Sequence, residues 1–275
     1  MGIINVTPDS FSDGAELQKP GSDSFQLDID KALSRAEAMV AEGAVFIDVG
    51  GESTRPGAAT VSEQEELERV IPLVEAIHSR LDVCISVDTS SPAVMTQALA
   101  SGAELINDIR ALTTPGAMEV AAACDAAICL MHMQGTPKTM QEQLSASSYD
   151  SVVEEVLEFL DARVEQCLAQ GIGRRRLLID PGFGFGKTAE HNYQLLRNLA
   201  HLSRLDIPVL VGISRKSMIG DATGRDVDQR LSGSIAATSL ALALGAKIIR
   251  THDVAATMDA IRVNSAYSSA DAELI

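Results

Sequence analysis

The chain has 275 residues, of which 46% are hydrophobic and 22% are charged, a composition that excludes a predominantly disordered protein. Its 22 Lys and Arg residues against 38 Asp and Glu residues give a formal net charge of −16. This acidic balance argues against nucleic acid or an anionic membrane as the main partner.

Eight short apolar runs alternate with longer segments of helical periodicity. Runs that are almost continuously apolar are typical of strands buried on both faces of a parallel sheet. In chain order the predicted strands are Gly2–Val6, Val45–Gly50, Cys84–Asp88, Leu105–Ile109, Ala127–His132, Leu177–Asp180, Pro208–Ser214 and Ile248–His252.

The segments between these strands carry the marks of amphipathic helices. Apolar residues recur at steps of three and four over residues 67–81 and 153–168, which is the period of a half-buried helix. Ser62 begins a capping box ahead of the first of these helices. Ser91 and Thr114 each precede a proline that suits the first position of a helix.

Eight strand-then-helix units predict an α/β protein, a (β/α)₈ TIM barrel formed as a single domain over residues 1–275. A doubly wound open sheet is the alternative. No glycine-rich nucleotide fingerprint follows the first predicted strand, which weakens that alternative.

The chain carries no signal for secretion or for membrane insertion. It has no apolar run of about 18 residues, and its opening MGIINVTPDS lacks the basic segment of a signal peptide. The four cysteines have no CxxC spacing and lie in apolar stretches, so we expect buried free thiols in a reducing compartment. These features predict a cytoplasmic protein.

Ionisable or amide side chains end nearly every predicted strand. Capping of the next helix explains one such residue but hardly a whole set. In a barrel these strand ends converge on one mouth, and we interpret the set as one polar pocket whose cations receive an anionic substrate. The residues are Asn5, Asp48, Asp88, Asn107, Asp108, His132, Asp180, Lys216, Arg250 and His252.

Two glycine-rich loops extend this pocket. Asp48–Gly57 reads DVGGESTRPG and Asp180–Lys187 reads DPGFGFGK, and glycine lets backbone N–H groups approach a ligand closely. Neither loop has the spacing of a Walker A motif. Arg55 within the first loop, and the cations after the seventh strand, favour binding of an oxyanion.

Eight ordered motifs extend over nearly the whole chain, and several are eight or more residues long. In chain order they are NVTPDSFSDG (Asn5–Gly14), DVGGESTRPG (Asp48–Gly57), SVDTS (Ser86–Ser90), NDIR (Asn107–Arg110), LMHMQGTPKTMQ (Leu130–Gln141), DPGFGFGK (Asp180–Lys187), SRKS (Ser214–Ser217) and RTHDV (Arg250–Val254). Together they resemble the motifs of the dihydropteroate synthase family, and their length makes chance similarity negligible.

The resemblance implies that 6-hydroxymethyl-7,8-dihydropterin diphosphate is condensed with p-aminobenzoate to give 7,8-dihydropteroate and diphosphate in folate biosynthesis. It implies the same barrel, Mg²⁺ as the cofactor, and small molecules as the substrates. It also implies a homodimer formed through helices late in the barrel, where the small residues of Ser232–Leu244 allow close packing. Sulfonamides, which are similar to p-aminobenzoate, would compete with it.

The resemblance also assigns residues to the pterin. Asp180 is expected to accept hydrogen bonds from the guanidine-like edge of the ring, with Asn107 and Asp88 completing the ring contacts. Lys216 is expected to bridge the pterin and aminobenzoate sides.

A second group is expected to hold the diphosphate. Arg250 and His252 would contact it from the last strand, and Thr54 and Arg55 would do so from the loop opposite. Asn5 would supply one oxygen to Mg²⁺, which otherwise keeps substrate oxygens and waters as ligands.

A third group is expected to bind p-aminobenzoate. Ser217 and the neighbouring backbone would anchor its carboxylate, while Phe11, Pro56 and Thr54 would pack around its ring. In the family, the loops Val6–Gly14 and Gly51–Gly57 close over the site and exclude water.

The chemistry that we expect is an SN1-like substitution. The exocyclic methylene becomes cation-like as diphosphate leaves, and Asp88 with Asp48 behind it would stabilise that charge. The residues expected to carry catalysis are Asp88, Lys216, Arg250 and His252.

Two features depart from the family pattern. The chain starts almost at its first strand, whereas family members usually carry a preceding segment, so we expect a trimmed start or a misassigned initiation site. The loop Ala15–Asp28 is somewhat long, and no role is assigned within it.

Three rival functions are weighed. A pterin-binding methyltransferase of the same barrel family has no diphosphate to hold, so Arg55, Lys216, Arg250 and His252 argue against it. A non-catalytic pterin-binding paralogue is not favoured, because Asn5 and the last-strand pair are present. A generic phosphosugar enzyme stays open when the resemblance is set aside.

Overall fold

The computed structural model describes residues 1–7, 17–18, 26–53, 61–135 and 149–270. Strands and helices alternate through these residues, as the hydrophobic pattern predicts. The strands are β1 (Gly2–Asn5), β2 (Phe46–Gly50), β3 (Cys84–Asp88), β4 (Leu105–Asp108), β5 (Ala127–Met131), β6 (Leu177–Asp180), β7 (Leu210–Val211) and β8 (Ile248–Ile249).

Each strand is followed by a helix or by a helix with a short 3₁₀ turn. The α-helices are α1 (Ile29–Ala41), α2 (Glu63–Arg80), α3 (Pro92–Ala100), α4 (Ala117–Ala122), α5 (Val152–Ala169), α6 (Ala189–Arg197), α7 (Ser217–Thr223), α8 (Leu231–Ala243) and α9 (Val254–Ser269). The 3₁₀ turns are Arg174–Arg176, Leu199–Leu205 and Val227–Gln229.

The strands close into a parallel ring. Strands β1 to β6 pair in chain order, and β7 pairs with β8. Parallel bridges between Ile179 and Val209 and between Gly2 and Thr251 join these two sheets at both edges. The predicted (β/α)₈ barrel is therefore confirmed, and the open doubly wound sheet is wrong.

Strands β7 and β8 are shorter than their apolar runs predicted. Each has two residues in the ladder, although the backbone N–H of Arg250 still donates to the Val211 carbonyl at 2.9 Å. Beyond Val211 the seventh segment leaves the ladder, whereas the eighth continues as far as Thr251, which bridges to Gly2 of β1. The side chains of Lys216 and Arg250 are contributed by these two segments.

Two of the three predicted helix starts are confirmed. Ser62 forms a capping box with Glu65, and Ser91 caps α3 with Pro92 in its first turn. The prediction for Thr114 is wrong: α4 begins at Ala117 and has no side-chain cap. Gly116, with φ of 90°, starts that helix two residues later than the proline suggested.

The main core lies between the ring and the helices. Ile47, Ile106 and Ile128 are among its fully buried strand residues, and a smaller cluster that includes Leu105 and Leu210 forms a separate core. All four cysteines are free thiols, two buried and two half-buried. No helix within the described ranges is long and apolar enough to cross a membrane.

The loop after β6 owes its course to Gly182. Its φ is +69°, and a Cβ there would lie 1.9 Å from the His132 carbonyl oxygen. Gly171 offers a matched comparison, since its φ is +84° and a Cβ there would meet nothing within 4 Å. Backbone conformation is therefore similar at the two glycines, and only their surroundings differ.

We predict that Gly171→Ala lowers the free energy of unfolding by about 1–2 kcal/mol, the cost of a left-handed alanine. Gly182→Ala should cost at least about twice as much, because the backbone must also move away from the new methyl group. Urea unfolding of the two variants measures both costs. Equal costs would contradict the close approach of the loop to His132.

Candidate active site

The sheet register aligns polar residues at the carboxyl ends of the first four strands. Asn5 lies opposite Gly50, Gly50 opposite Asp88, and Asp88 opposite Asn107. A Cβ on Gly50 would lie 3.5 Å from both the Asn5 Oδ1 and the Asp88 Cβ. Gly50 therefore lies between Asn5 and Asp88 at the barrel mouth, and both side chains are within van der Waals distance of the position of its Cβ.

Asp48 lies one layer below this row and is completely buried. Its carboxylate accepts a hydrogen bond from the Ser86 hydroxyl at 2.5 Å and one from the Asn107 Nδ2 at 3.2 Å. The Arg250 Nε donates to it at 2.6 Å. One carboxylate thus joins β2 to β3, to β4 and to the segment after β8.

Arg250 spans two carboxylates. While its Nε binds Asp48, its NH2 group donates to the Asp88 Oδ2 at 2.8 Å. Burial lowers the pKa of Arg250, but Asp48 and Asp88 raise it by more, so the guanidinium stays charged. A fixed cation between two acids is preorganised to meet an anion.

The charged form of Asp88 is disfavoured by burial even though Arg250 binds it. Burial raises its pKa to about 7, and the charge of Arg250 only partly opposes that rise. Its carboxylate therefore changes charge near neutrality and can either accept a hydrogen bond or balance a developing cation.

Asp180 ends β6 and is buried. Its Oδ1 accepts the backbone N–H of Gly182 at 2.7 Å, which fixes the carboxyl at the start of the glycine-rich loop. Burial raises the pKa of Asp180, while Lys216 is the strongest of the groups that lower it. The acid and the lysine thus interact across the mouth.

Lys216 follows β7 and reaches the same loop. Its Nζ donates to the Phe183 carbonyl and lies 4.7 Å from the centre of the Phe185 ring. Burial lowers the pKa of Lys216 to about 8, against the attraction of Asp180. The lysine is held between the β6 loop and the strand-end acids.

A second buried lysine was assigned no role from the sequence. The Lys187 Nζ lies 2.9 Å from the His132 Nδ1 and donates to the carbonyls of Gly182 and Phe185 at 2.9 and 3.1 Å. Burial, with the nearby lysine, lowers the pKa of His132 to about 2, so this imidazole is neutral. Lys187 therefore connects the loop after β6 to His132 at the end of β5.

Two further residues predicted for the site, His252 and Ser217, lie at its β7 and β8 side. The Nδ1 of His252 is 3.0 Å from the Ser214 hydroxyl, and the His252 backbone N–H donates to the same oxygen at 3.2 Å. Ser217 is the exposed first residue of α7. Four predicted residues lie outside the described residues, namely Phe11, Thr54, Arg55 and Pro56.

The described part of the mouth combines a fixed guanidinium, a partly buried ammonium, three acids and two amides. Such a set can bind a flat polar heterocycle by its donor edge and hold an anionic group beside it. A groove of about 540 Å³ lies near the opposite strand ends, lined by residues such as Arg80 and Glu104. That groove contains none of the residues predicted for the site.

Comparison with known proteins finds relatives over almost the whole chain. A family model described as pterin binding enzyme matches residues 1–252. The dihydropteroate synthase of Escherichia coli strain K12 is 53% identical over 270 residues, which cover 98% of this chain and 92% of that protein.

Solved structures agree with this similarity. The crystal structure of the Yersinia pestis dihydropteroate synthase with a sulfonamide drug complex has a TM-score of 0.92 and 51% identity, over 98% of this chain and 94% of that one. The structure of the Xanthomonas albilineans dihydropteroate synthase with 4-aminobenzoic acid has a TM-score of 0.88 and 46% identity, over 98% of this chain and 93% of that one.

The two acids that bind Arg250 should contribute unequally to stability. Asp48→Asn leaves a buried guanidinium without its main partner, which we expect to cost about 3 kcal/mol or more of the free energy of unfolding. Asp88→Asn should cost less, because burial already disfavours the charge of Asp88. Urea unfolding at neutral pH compares the two variants.

The Asp88 variant also has a pH signature. The folded pKa of about 7 exceeds the ordinary value of 3.8, so between these values the folded state binds more protons than the unfolded state. This group's contribution to stability therefore falls as pH rises through that window. Wild type should gain stability relative to Asp88→Asn as pH falls from about 7 to about 4; a constant difference would contradict the burial of that charge.

Proposed function

Because the chain belongs to the dihydropteroate synthase family of pterin-binding enzymes, we propose that the polar cluster at its strand ends is where that family's reaction takes place. The chain is a transferase of folate synthesis that joins 6-hydroxymethyl-7,8-dihydropterin diphosphate to p-aminobenzoate. The family resemblance of its motifs is confirmed. The observation that carries the site assignment is Arg250 held between Asp48 and Asp88, in register with Asn5 and Asn107.

Asp180, Asn107 and Asp88 bind the pterin ring in this proposal. A dihydropterin presents adjacent N–H donors along one edge, and a carboxylate accepts such a pair in two parallel hydrogen bonds. The Asp180 carboxyl is already fixed by the Gly182 N–H, so it is preorganised for that edge. The Asn107 amide can both donate and accept, which suits the ring nitrogens and the ring carbonyl.

The diphosphate is bound on the β8 side by Arg250 and His252. Arg250 stays anchored through its Nε on Asp48 and its NH2 group on Asp88, and its NH1 group is assigned to phosphate oxygens. His252 is oriented by Ser214, which contacts both its ring and its backbone. We assign Thr54 and Arg55 to the opposite side of the diphosphate on the family resemblance alone.

Mg²⁺ fits the residues at the end of β1. Among the residues that the structure describes, no group of three or more His, Cys, Asp and Glu side chains could hold a metal ion. Asn5 offers a hard amide oxygen close to Asp88 across Gly50, and Mg²⁺ commonly takes few protein ligands beside phosphates and waters. Bound Mg²⁺ would neutralise charge on the departing diphosphate.

The p-aminobenzoate lies on the β7 side. Ser217 is exposed at the start of α7 and offers a hydroxyl to the carboxylate of p-aminobenzoate, while Lys216 lies between this position and Asp180. Phe11, Pro56 and Thr54 pack on the ring by family resemblance. Sulfonamides compete for this position, which is supported by the Yersinia pestis relative solved with such a drug.

The substitution itself is SN1-like. As the carbon–oxygen bond breaks, the bonding electron pair leaves with diphosphate and the exocyclic methylene becomes cationic. Asp88, with Asp48 behind it, stabilises that charge, and the amine of p-aminobenzoate then attacks and loses a proton. A full primary carbon isotope effect at the methylene would indicate concerted attack and contradict this step.

The chain forms a homodimer through α8 and α9. Leu240 on α8 is 56% exposed, and Val263 and Tyr267 on α9 are 70% and 76% exposed. The two α9 residues are four apart and share one face.

Sedimentation velocity at micromolar concentration should show a dimer that Val263→Asp with Tyr267→Asp converts to a monomer. Glu158→Lys on α5 is the control for added surface charge, and a monomeric wild type would contradict the proposal.

We also propose that the enzyme acts in the cytoplasm, which is supported by its four free thiols. Its partners in the reaction are small molecules, in keeping with the Xanthomonas albilineans relative solved with 4-aminobenzoic acid.

The decisive assay combines the pterin diphosphate, p-aminobenzoate and Mg²⁺ with the protein and omits each component in turn. Dihydropteroate should form only in the complete mixture. Asp180→Asn should raise the KM for the pterin diphosphate about tenfold or more, because it removes a charged acceptor, and should leave the KM for p-aminobenzoate nearly unchanged.

Asp206→Asn, on an exposed turn, is the matched control and should behave as wild type. No product from the complete mixture would overturn the function. An active enzyme with an unchanged pterin KM in Asp180→Asn would overturn only the role of Asp180.

A further inference from the structure

Two neighbouring segments at the mouth have unusual local structure, at Arg215 and at Asp253. Arg215 has φ of 58°, a left-handed conformation that is unfavourable for a residue with a Cβ. Asp253 is the N-cap residue of α9, a position that aspartate favours. Yet in the described chain its carboxylate makes no capping hydrogen bond.

One ion pair links these two departures. The Nε of Arg215 donates to the Asp253 Oδ2 at 2.9 Å, and its NH2 group donates to the Oδ1 at 2.5 Å. The two side chains are 30% and 16% exposed, so the pair is partly shielded from water. Two parallel bonds between a guanidinium and a carboxylate fix direction as well as distance.

The strained turn is also held from α8. The backbone N–H of Arg215 donates to the Ser234 hydroxyl at 2.9 Å, and the Arg230 NH1 donates to the Arg215 carbonyl at 3.1 Å. Both polar backbone groups of Arg215 therefore have partners in their left-handed geometry. The conformation is determined by its surroundings rather than tolerated by chance.

The residues joined in this way lie directly beside proposed site residues. Ser214, which precedes Arg215, orients His252, and Lys216 follows Arg215. Asp253 directly follows His252 in the chain. The ion pair therefore ties the segment that carries Lys216 and Ser217 to the segment that carries the diphosphate-binding residues.

We propose that Arg215 and Asp253 are positioning residues that hold the β7 and β8 segments of the active site at a fixed separation. The inference rests on the proposed function, since it assigns these segments to p-aminobenzoate and to diphosphate. Neither residue contacts the reacting atoms. Their effect passes through Ser217 and His252.

Two substitutions remove the ion pair and keep a residue suited to the local backbone conformation at each position. Arg215→Gly suits the left-handed conformation, because glycine adopts it without a Cβ penalty. Asp253→Ser keeps a favourable N-cap residue for α9. Each variant should unfold within about 3 °C of wild type.

Each variant should lower kcat/KM for p-aminobenzoate about tenfold or more, the effect of misplacing groups that orient a reactant. The double variant should lose no more than the worse single variant, because both changes remove one interaction. The Kd of 6-hydroxymethylpterin, which lacks the diphosphate, should stay within about twofold of wild type. A general loss of structure would weaken this binding too.

The exposed pair Glu154 on α5 and Arg204 is the matched control. It also joins an acid to an arginine, at 3.8 Å, but its side chains are 51% and 58% exposed. Glu154→Ser and Arg204→Gly should leave kcat/KM within about twofold of wild type. The two test variants are independent, so if one fails to fold, the other still decides.

Three results would overturn the inference: single variants with wild-type kcat/KM, losses that multiply in the double variant, or losses matched by weaker binding of 6-hydroxymethylpterin. A wild-type protein that makes no dihydropteroate would overturn the proposed function instead. The same assay therefore separates the two failures.

Discussion

Charge buried at the mouth of a barrel has to be matched there, because an isolated carboxylate or guanidinium is costly away from water. Asp48 is completely buried, and donors from three other segments converge on it, namely Ser86, Asn107 and Arg250. The position of Arg250, and with it that of Asp88, follows from this convergence. The rest of the site surrounds these ion pairs of Arg250, which form only when the barrel is folded.

The same ion pairs also suit the proposed reaction. In the proposed reaction, Arg250 remains on Asp48 while it meets the departing diphosphate, and Asp88 faces the positive charge that develops on the pterin methylene. Opposite charges appear on the substrate as the bond breaks, and groups of both signs are already fixed nearby. Preorganisation of this kind avoids rearrangement at the moment of reaction. Lys216 is held on the β6 loop, and in the same proposal it links this region to the p-aminobenzoate side.

The sequence predicted those features that depend on residues near each other in the chain. Apolar runs located the eight strands, and polar residues at the ends of nearly all of them predicted the mouth, since parallel strands share one edge. It could not predict which groups pair, because Arg250 and Asp48 are 202 positions apart and meet only when the ring closes. The Lys187 contact with His132 was missed for the same reason, and a lysine directly after a glycine-rich run was its only signal. The resemblance supplied the reaction, which charge and spacing alone do not specify.

The most direct test is a crystal structure of the protein with Mg²⁺ and a non-reactive dihydropterin diphosphate analogue. The account predicts that the pterin ring lies within hydrogen-bond distance of Asp180 and Asn107, with the phosphates against Arg250 and the Arg250–Asp48 ion pair intact. A ligand seated in the groove at the opposite strand ends, or an Arg250 turned away from both Asp48 and the phosphates, would contradict it.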